Sequence, residues 1–277
     1  MKYTPRQPES NVNVTPTSPL RDFFLLTAGL LGIVIVIYIL LGLAVDLVVP
    51  RISTDLEKRI AGLFIRSIEA KDTASERENY VQLLLEDMQE RCAKLPYLFK
   101  VHIRQASAVN AVALPGGHIV VYTGLLDKVA SENELAFVLG HEMGHYAYRD
   151  HLRGMGRAFV FITISALLFG TDSNISKMLA HGLNITEMSF SRKQETRADE
   201  FALEMLNCDY GHVAGAVDFF EKIPKEQDPG KFGHYFASHP GSHKRISHLE
   251  DIIRSRGFKL AERTPLPENW RQSKNLT

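Results

Sequence analysis

The sequence predicts an α+β fold, a mainly helical domain with a small β-sheet, preceded by one transmembrane helix. Three observations predict it: a long apolar run near the N-terminus, strand-like alternation within residues 97–122, and helical apolar spacing on both sides of that stretch. The 277 residues are 45% hydrophobic and 23% charged, which is enough apolar material for a sizeable core. Lys plus Arg and Asp plus Glu each total 32, so no net basic field exists to hold a polyanion, and nucleic acid is not an expected partner. The two cysteines, Cys92 and Cys208, exclude a disulfide-rich scaffold and a four-cysteine metal site, and they leave the redox compartment open.

Taken in order, residues 1–21 carry Pro5, Pro8, Pro16 and Pro19 among Asn, Ser and Thr without apolar periodicity, as a disordered tail would. Residues 22–49 form the anchor. Within them FFLLTAGLLGIVIVIYILLGLAVDLVV, at 23–49, has a single charged side chain, Asp46. At ~1.5 Å per residue it exceeds the ~20 residues needed to cross a bilayer. A cleaved signal would have an apolar core of only ~7–15 residues followed by a small-residue cleavage site, so an uncleaved lipid-embedded anchor is expected. A globular domain over 50–257 follows, with helical spacing at 56–70 and 80–95. Candidate strands lie at 101–103, 111–114 and 118–122, the last two separated by the turn Pro115-Gly116-Gly117. From Ser131 to about Arg256 the pattern is mainly helical, and 258–277 reads as a C-terminal tail.

Chemistry is concentrated in one predicted helix. Ser131 and Glu134 have the capping-box spacing that opens a helix. That helix continues through HEMGH at 141–145, where His141 and His145 stand four residues apart, ~40° around the axis and ~6 Å along it, so both imidazoles reach one ion. Glu142 projects from a neighbouring direction and can hold a water without ligating the metal. This is the HExxH spacing of zinc peptidases.

A tetrahedral site needs a third protein ligand, and two candidates compete. His151 has the right offset for a chain that turns back sharply, but the glycine such a turn uses would fall at 148, where the residue is Tyr148. On an uninterrupted helix His151 would lie ~15 Å from His141 along the axis. The alternative is SRKQETRAD at 191–199, a second helix that carries Glu195 and Asp199 at i and i+4. One carboxylate can ligate there while the other accepts an N–H from a ligating histidine.

Four motifs in order, NAVALPGGHIVVYTGLL at 110–126, HEMGH, SRKQETRAD and SHPGSHKRI at 238–246, resemble the membrane-associated gluzincin family of HtpX and the CAAX prenyl proteases. The likeness is strongest to its single-anchor bacterial members and the mitochondrial Oma-type enzymes. It implies a zincin-like metalloprotease domain, one Zn2+ per subunit held by His141, His145 and Glu195, Glu142 as catalytic base, and peptide or unfolded protein as substrate, including misfolded or damaged envelope proteins. His239, confined to extended geometry by Pro240, is a candidate donor to the reacting carbonyl or a cap on the zinc. Asn110, Ala111, Val112 and Ala113 are a candidate edge for pairing with an extended substrate. Family members often carry an acidic residue where this chain has Arg197. The run at 158–170 is too short to span a bilayer, so it is either a buried helix or a membrane-dipping hairpin.

Two rival functions remain at this stage: a membrane-tethered chaperone or adaptor with a vestigial metal site, and a CAAX-type processing protease. Basic residues flanking the anchor do not decide its orientation. Lys2, Arg6 and Arg21 precede it, and Arg51, Lys58, Arg59 and Arg66 follow it. An N-terminal anchor behind a short basic tail looks like an export signal, so the catalytic domain is expected on the outer face, periplasmic in a Gram-negative bacterium, with a cytoplasmic placement as the alternative. Oligomeric state is not legible.

Overall fold

A computed structural model describes residues 18–69, 76–170, 190–222, 238–240 and 242–270. The expected tail at 1–21 falls almost entirely outside them. Helix α1, Pro19–Val48, starts on a proline whose missing N–H costs nothing in a first turn, and none of its residues is buried. Its 30 residues rise ~45 Å, enough to cross a ~30 Å hydrocarbon core. A 3-10 turn, Val49–Arg51, leads to α2, Thr54–Glu69, and then to α3, Glu76–Cys92.

Three strands follow: β1 Lys100–Arg104, β2 Ala111–Leu114 and β3 His118–Tyr122. Their order is β1-β3-β2, with β1 parallel and β2 antiparallel to β3, so β2 is an edge strand. Alternation decides what each face does. Val101, Ile103, Ala111, Ala113, Ile119 and Val121 face the main core, while Val112, Leu114, Val120 and Tyr122 form a small cluster on the other side. Between β2 and β3, Gly116 and Gly117 have φ of 83° and 93°. A Cβ on Gly117 would stand 2.7 Å from the Leu98 carbonyl oxygen, so both the backbone angle and the space demand glycine.

After a short α4, Thr123–Leu126, the central helix α5 runs Glu132–Ala147, buried throughout 133–146. Ser131 caps it by accepting the Glu134 N–H at 3.2 Å. The Glu134 carboxylate does not close a capping box. It accepts the Ala130 N–H and pairs with Lys222.

The expected continuous helix breaks at Arg149, which adopts left-handed φ 56°, and α6, Asp150–Phe169, departs in a new direction. Arg149 Nη1 donates to the carbonyls of Val49 and Ile52, and this tie holds the turn without a glycine. Most of α6 is not buried: Asp150, His151, Leu152 and Ser165 are its buried residues, so its apolar half is not a core helix.

Helix α7, Arg192–Tyr210, packs across α5. It is followed by α8, Asp218–Glu221, and α9, Ser242–Arg256. Residues 258–270 run back along the domain, where Glu132 N–H donates to Thr264, Asn133 Oδ1 accepts from Thr264 N–H, and the buried Trp270 indole donates to Leu126. A disulfide joins Cys92, at the end of α3, to Cys208 on α7, with Cα atoms 5.8 Å apart.

Candidate metal centre

The site begins with the close approach of two helices. Gly140 and Gly144 on α5 face Ala202 and Ala198 on α7, and a Cβ on Gly144 would lie 2.9 Å from the Ala198 Cα. Small residues at i and i+4 on both partners let the backbones approach, so Glu195 and Asp199 reach across to the α5 histidines. Ser191 and Gln194 start α7 with a reciprocal capping box, which fixes the helix one turn before the Glu195 carboxylate.

His141, His145, Glu195 and His239 each offer a donor atom within 4.8 Å of the others, and all four are buried. His141 Nε2 lies 3.1 Å from His145 Nε2 and 3.6 Å from Glu195 Oε2, and His145 Nε2 lies 3.5 Å from Glu195 Oε1. The outer nitrogens are committed elsewhere. His141 Nδ1 is 2.8 Å from Asp199 Oδ1, and His145 Nδ1 is 3.3 Å from Asp150 Oδ2. With each Nδ1 facing a carboxylate, the two Nε2 atoms and the Glu195 carboxylate are left to converge on one point, and one carboxylate with imidazole nitrogens is a zinc donor set, so the residues fit zinc.

Charges surround this cluster in layers. Burial works against the carboxylate form of Asp199, but the Arg245 guanidinium, at 2.7 and 2.6 Å, holds its pKa below the ordinary value. Burial likewise opposes ionised Glu195, yet His239 and Arg245, the latter 2.5 Å from Oε2, hold it well below the ordinary range. Burial pushes His141 down. At His145 burial is outweighed by Asp150 and Glu195, which raise it to about 9 when no ion competes for Nε2. Asp150 in turn accepts from Gln194 at 2.9 Å and from Arg197. The basic residue at 197 thus pairs with the carboxylate behind a histidine.

Glu142 is buried beside the cluster. Its Oε2 has no hydrogen-bond partner among the described residues, while its Oε1 lies 3.7 Å from His239 Nε2. His239 is placed by Ser238, whose carbonyl accepts the Phe190 N–H at 3.0 Å and whose hydroxyl is 3.4 Å from Asn110 Oδ1. His239 Nδ1 is 3.1 Å from Glu195 Oε1 and 3.3 Å from His141 Nε2. Asn110, just before β2, therefore contacts the residue that precedes His239, and Ala111, Val112 and Ala113 follow it along the edge strand. His151 is not brought to the cluster: its Nε2 is 2.8 Å from Glu57 Oε1 on α2.

Sequence reasoning missed Arg245, Asp150 and Phe190, whose ring stacks on His145 at 3.8 Å between centroids. Arg245 lies inside the motif SHPGSHKRI, six residues after His239, and that was the available signal. Asp150 and Phe190 carried none, because only the turn at Arg149 and the packing of a separate segment bring them to His145.

Comparison with known proteins agrees with this geometry. The chain is 33% identical over 170 residues to the metalloprotease LoiP of Escherichia coli, covering 59% of this chain and 66% of that protein. It is also 33% identical over 165 residues to the metalloprotease YcaL of the same organism, covering 58% and 63%. To the mitochondrial metalloendopeptidase OMA1 of Arabidopsis thaliana it is 35% identical over 139 residues, covering 50% and 28%. The chain thus spans less than two thirds of each of these relatives. Residues 75–253, which hold all four members of the His–Glu donor cluster, match peptidase family M48, and the chain belongs to that family.

Proposed function

We propose that this chain is a membrane-anchored, zinc-dependent metalloendopeptidase that hydrolyses peptide bonds in misfolded or damaged membrane or envelope proteins. The observation that carries the reading is a buried carboxylate, Glu142, one oxygen of which has no hydrogen-bond partner among the described residues, beside converging His and Glu donors. His141, His145 and Glu195 would hold the ion, and Asp199 and Asp150 orient the two rings through their Nδ1–H groups. Bound zinc would polarise the scissile carbonyl and make a water acidic enough to attack it at neutral pH. Glu142 takes the proton of the attacking water and passes it to the leaving amine. His239, which faces both Glu195 and Glu142, would cap the ion at rest or donate to the oxygen of the carbonyl under attack. An extended substrate would pair with the edge of β2 from Asn110 through Ala113, which starts beside His239.

A vestigial site in a chaperone would have no reason to keep a buried carboxylate oxygen without a hydrogen-bond partner, because such an atom costs stability and binds nothing. The catalytic domain is assigned to the outer face of the membrane. The Cys92–Cys208 disulfide supports this, since such bonds persist in oxidising compartments and are rare in the reducing cytosol. Full-length protein purified in detergent should carry about one zinc per chain and degrade casein, and a chelator should abolish the activity until zinc is restored. Casein left intact by fully zinc-loaded protein would overturn the reading.

A further inference from the structure

We propose that the distal half of α6, residues 158–169, is a second membrane-inserted element that enters the bilayer beside α1 from the catalytic side. The inference follows from how the two helices are paired. Asp46, the only charge in the anchor's apolar run, meets Arg157 Nη2 at 2.8 Å and Arg153 Nε at 3.5 Å. Val45 lies against Gly156, where a Cβ would stand 2.7 Å from Val45 Cγ1. Tyr38 meets Phe161 with ring centroids 6.4 Å apart. These pairs run antiparallel, so α6 climbs the anchor away from the domain, and Phe161 lies at the depth of Tyr38, ~12 Å beyond Asp46. Residues 162–169 go ~12 Å deeper again, and residues 158–169 together rise ~18 Å, over half of a ~30 Å hydrocarbon core. If α1 crosses a bilayer, this part of α6 lies inside it.

The side chains suit that solvent. Phe159 is 70% and Leu167 80% exposed, and Leu168 and Phe169 are exposed beside them. The hydroxyls within this stretch are turned inward, Thr163 Oγ1 donating to the Phe159 carbonyl at 2.8 Å and Ser165 Oγ to the Phe161 carbonyl at 2.9 Å. Lipid requires such internal satisfaction and water does not. The arginines stop at residue 157, at the level of Asp46 and close to Arg51, where a headgroup layer would receive them. Asp150 opens α6 and holds His145, so insertion fixes the metal cluster at the membrane surface.

The test uses the full chain reconstituted in lipid nanodiscs. Both native cysteines are in the disulfide, so a single introduced cysteine is the one free thiol. Leu167→Cys is compared with Leu31→Cys on α1 and Leu83→Cys on the exposed face of α3, first for reaction with a membrane-impermeant maleimide. A fluorophore attached before reconstitution is then tested for quenching by spin-labelled lipids. Leu167 and Leu31 should react at least about tenfold more slowly than Leu83, and their fluorophores should be quenched by spin label on the acyl chain. Labelling of Leu167 as fast as Leu83, with Leu31 protected, would overturn the proposal. So would protection without quenching, which would mean that protein rather than lipid covers the helix. Exposure of Leu31 itself would remove the anchor on which the proposal rests, a failure distinct from that of α6 alone.

Discussion

Asp150 and Asp199 hold the outer nitrogens of His145 and His141, so each ring is oriented by a carboxylate from a different helix. His141, Glu142, His145, Glu195 and Asp199 were legible in the sequence because an i, i+4 spacing on one helix is already a geometry. Asp150, Phe190 and Arg245 reach the site through turns and packing that no local pattern encodes. His151 shows the same limit from the other side: the chain does turn at Arg149, yet the ring is claimed by Glu57. Glu195→Ala should lower zinc affinity by at least about a hundredfold, as loss of one of three protein ligands. His151→Ala should keep stoichiometric zinc but lose about 1–3 kcal/mol of stability, because Glu57 is left buried without this partner. Metal titration alongside thermal unfolding separates the two, and zinc loss in His151→Ala would reverse the ligand assignment. His239→Ala should retain zinc and change peptidase kcat by roughly tenfold or more. Unchanged kinetics would remove His239 from the mechanism.

Strands β2 and β3 fall where alternation put them, and the two glycines of their turn are forced by φ and by the Leu98 carbonyl. The break between α5 and α6 was not legible, since a left-handed arginine held by two carbonyls of the segment after the anchor is a tertiary event. Neither was the role of Gly144, because a glycine between two histidines looks like a mere spacer until α7 is seen lying against it. Gly144→Ala inserts a methyl 2.9 Å from the Ala198 Cα, so α5 and α7 must separate. The expected result is a loss of about 1–3 kcal/mol together with weakened zinc binding, since Glu195 moves with α7. Wild-type metal affinity and melting temperature in this variant would show that the close approach is not what positions the ligand.

At the scale of the whole molecule, the anchor was legible because ~20 apolar residues in a row have few other uses. The disulfide was not, because a pair 116 residues apart in sequence gives no spacing to read. It ties the far end of α7 to α3, so reducing it should cost about 2–5 kcal/mol and lower the melting temperature. In intact spheroplasts of a Gram-negative host, added protease should degrade a C-terminal tag. A tag that survives until the membrane is permeabilised would put the domain in the cytoplasm. The central claim is that a zinc ion and the Glu142 carboxylate act together in one buried cluster, and it is tested most directly by comparing zinc content and casein hydrolysis in wild-type protein and Glu142→Gln. Near-stoichiometric zinc with activity reduced by about a thousandfold or more is the predicted result, because the proton acceptor is gone and the ligands remain. Wild-type hydrolysis by zinc-loaded Glu142→Gln would contradict it.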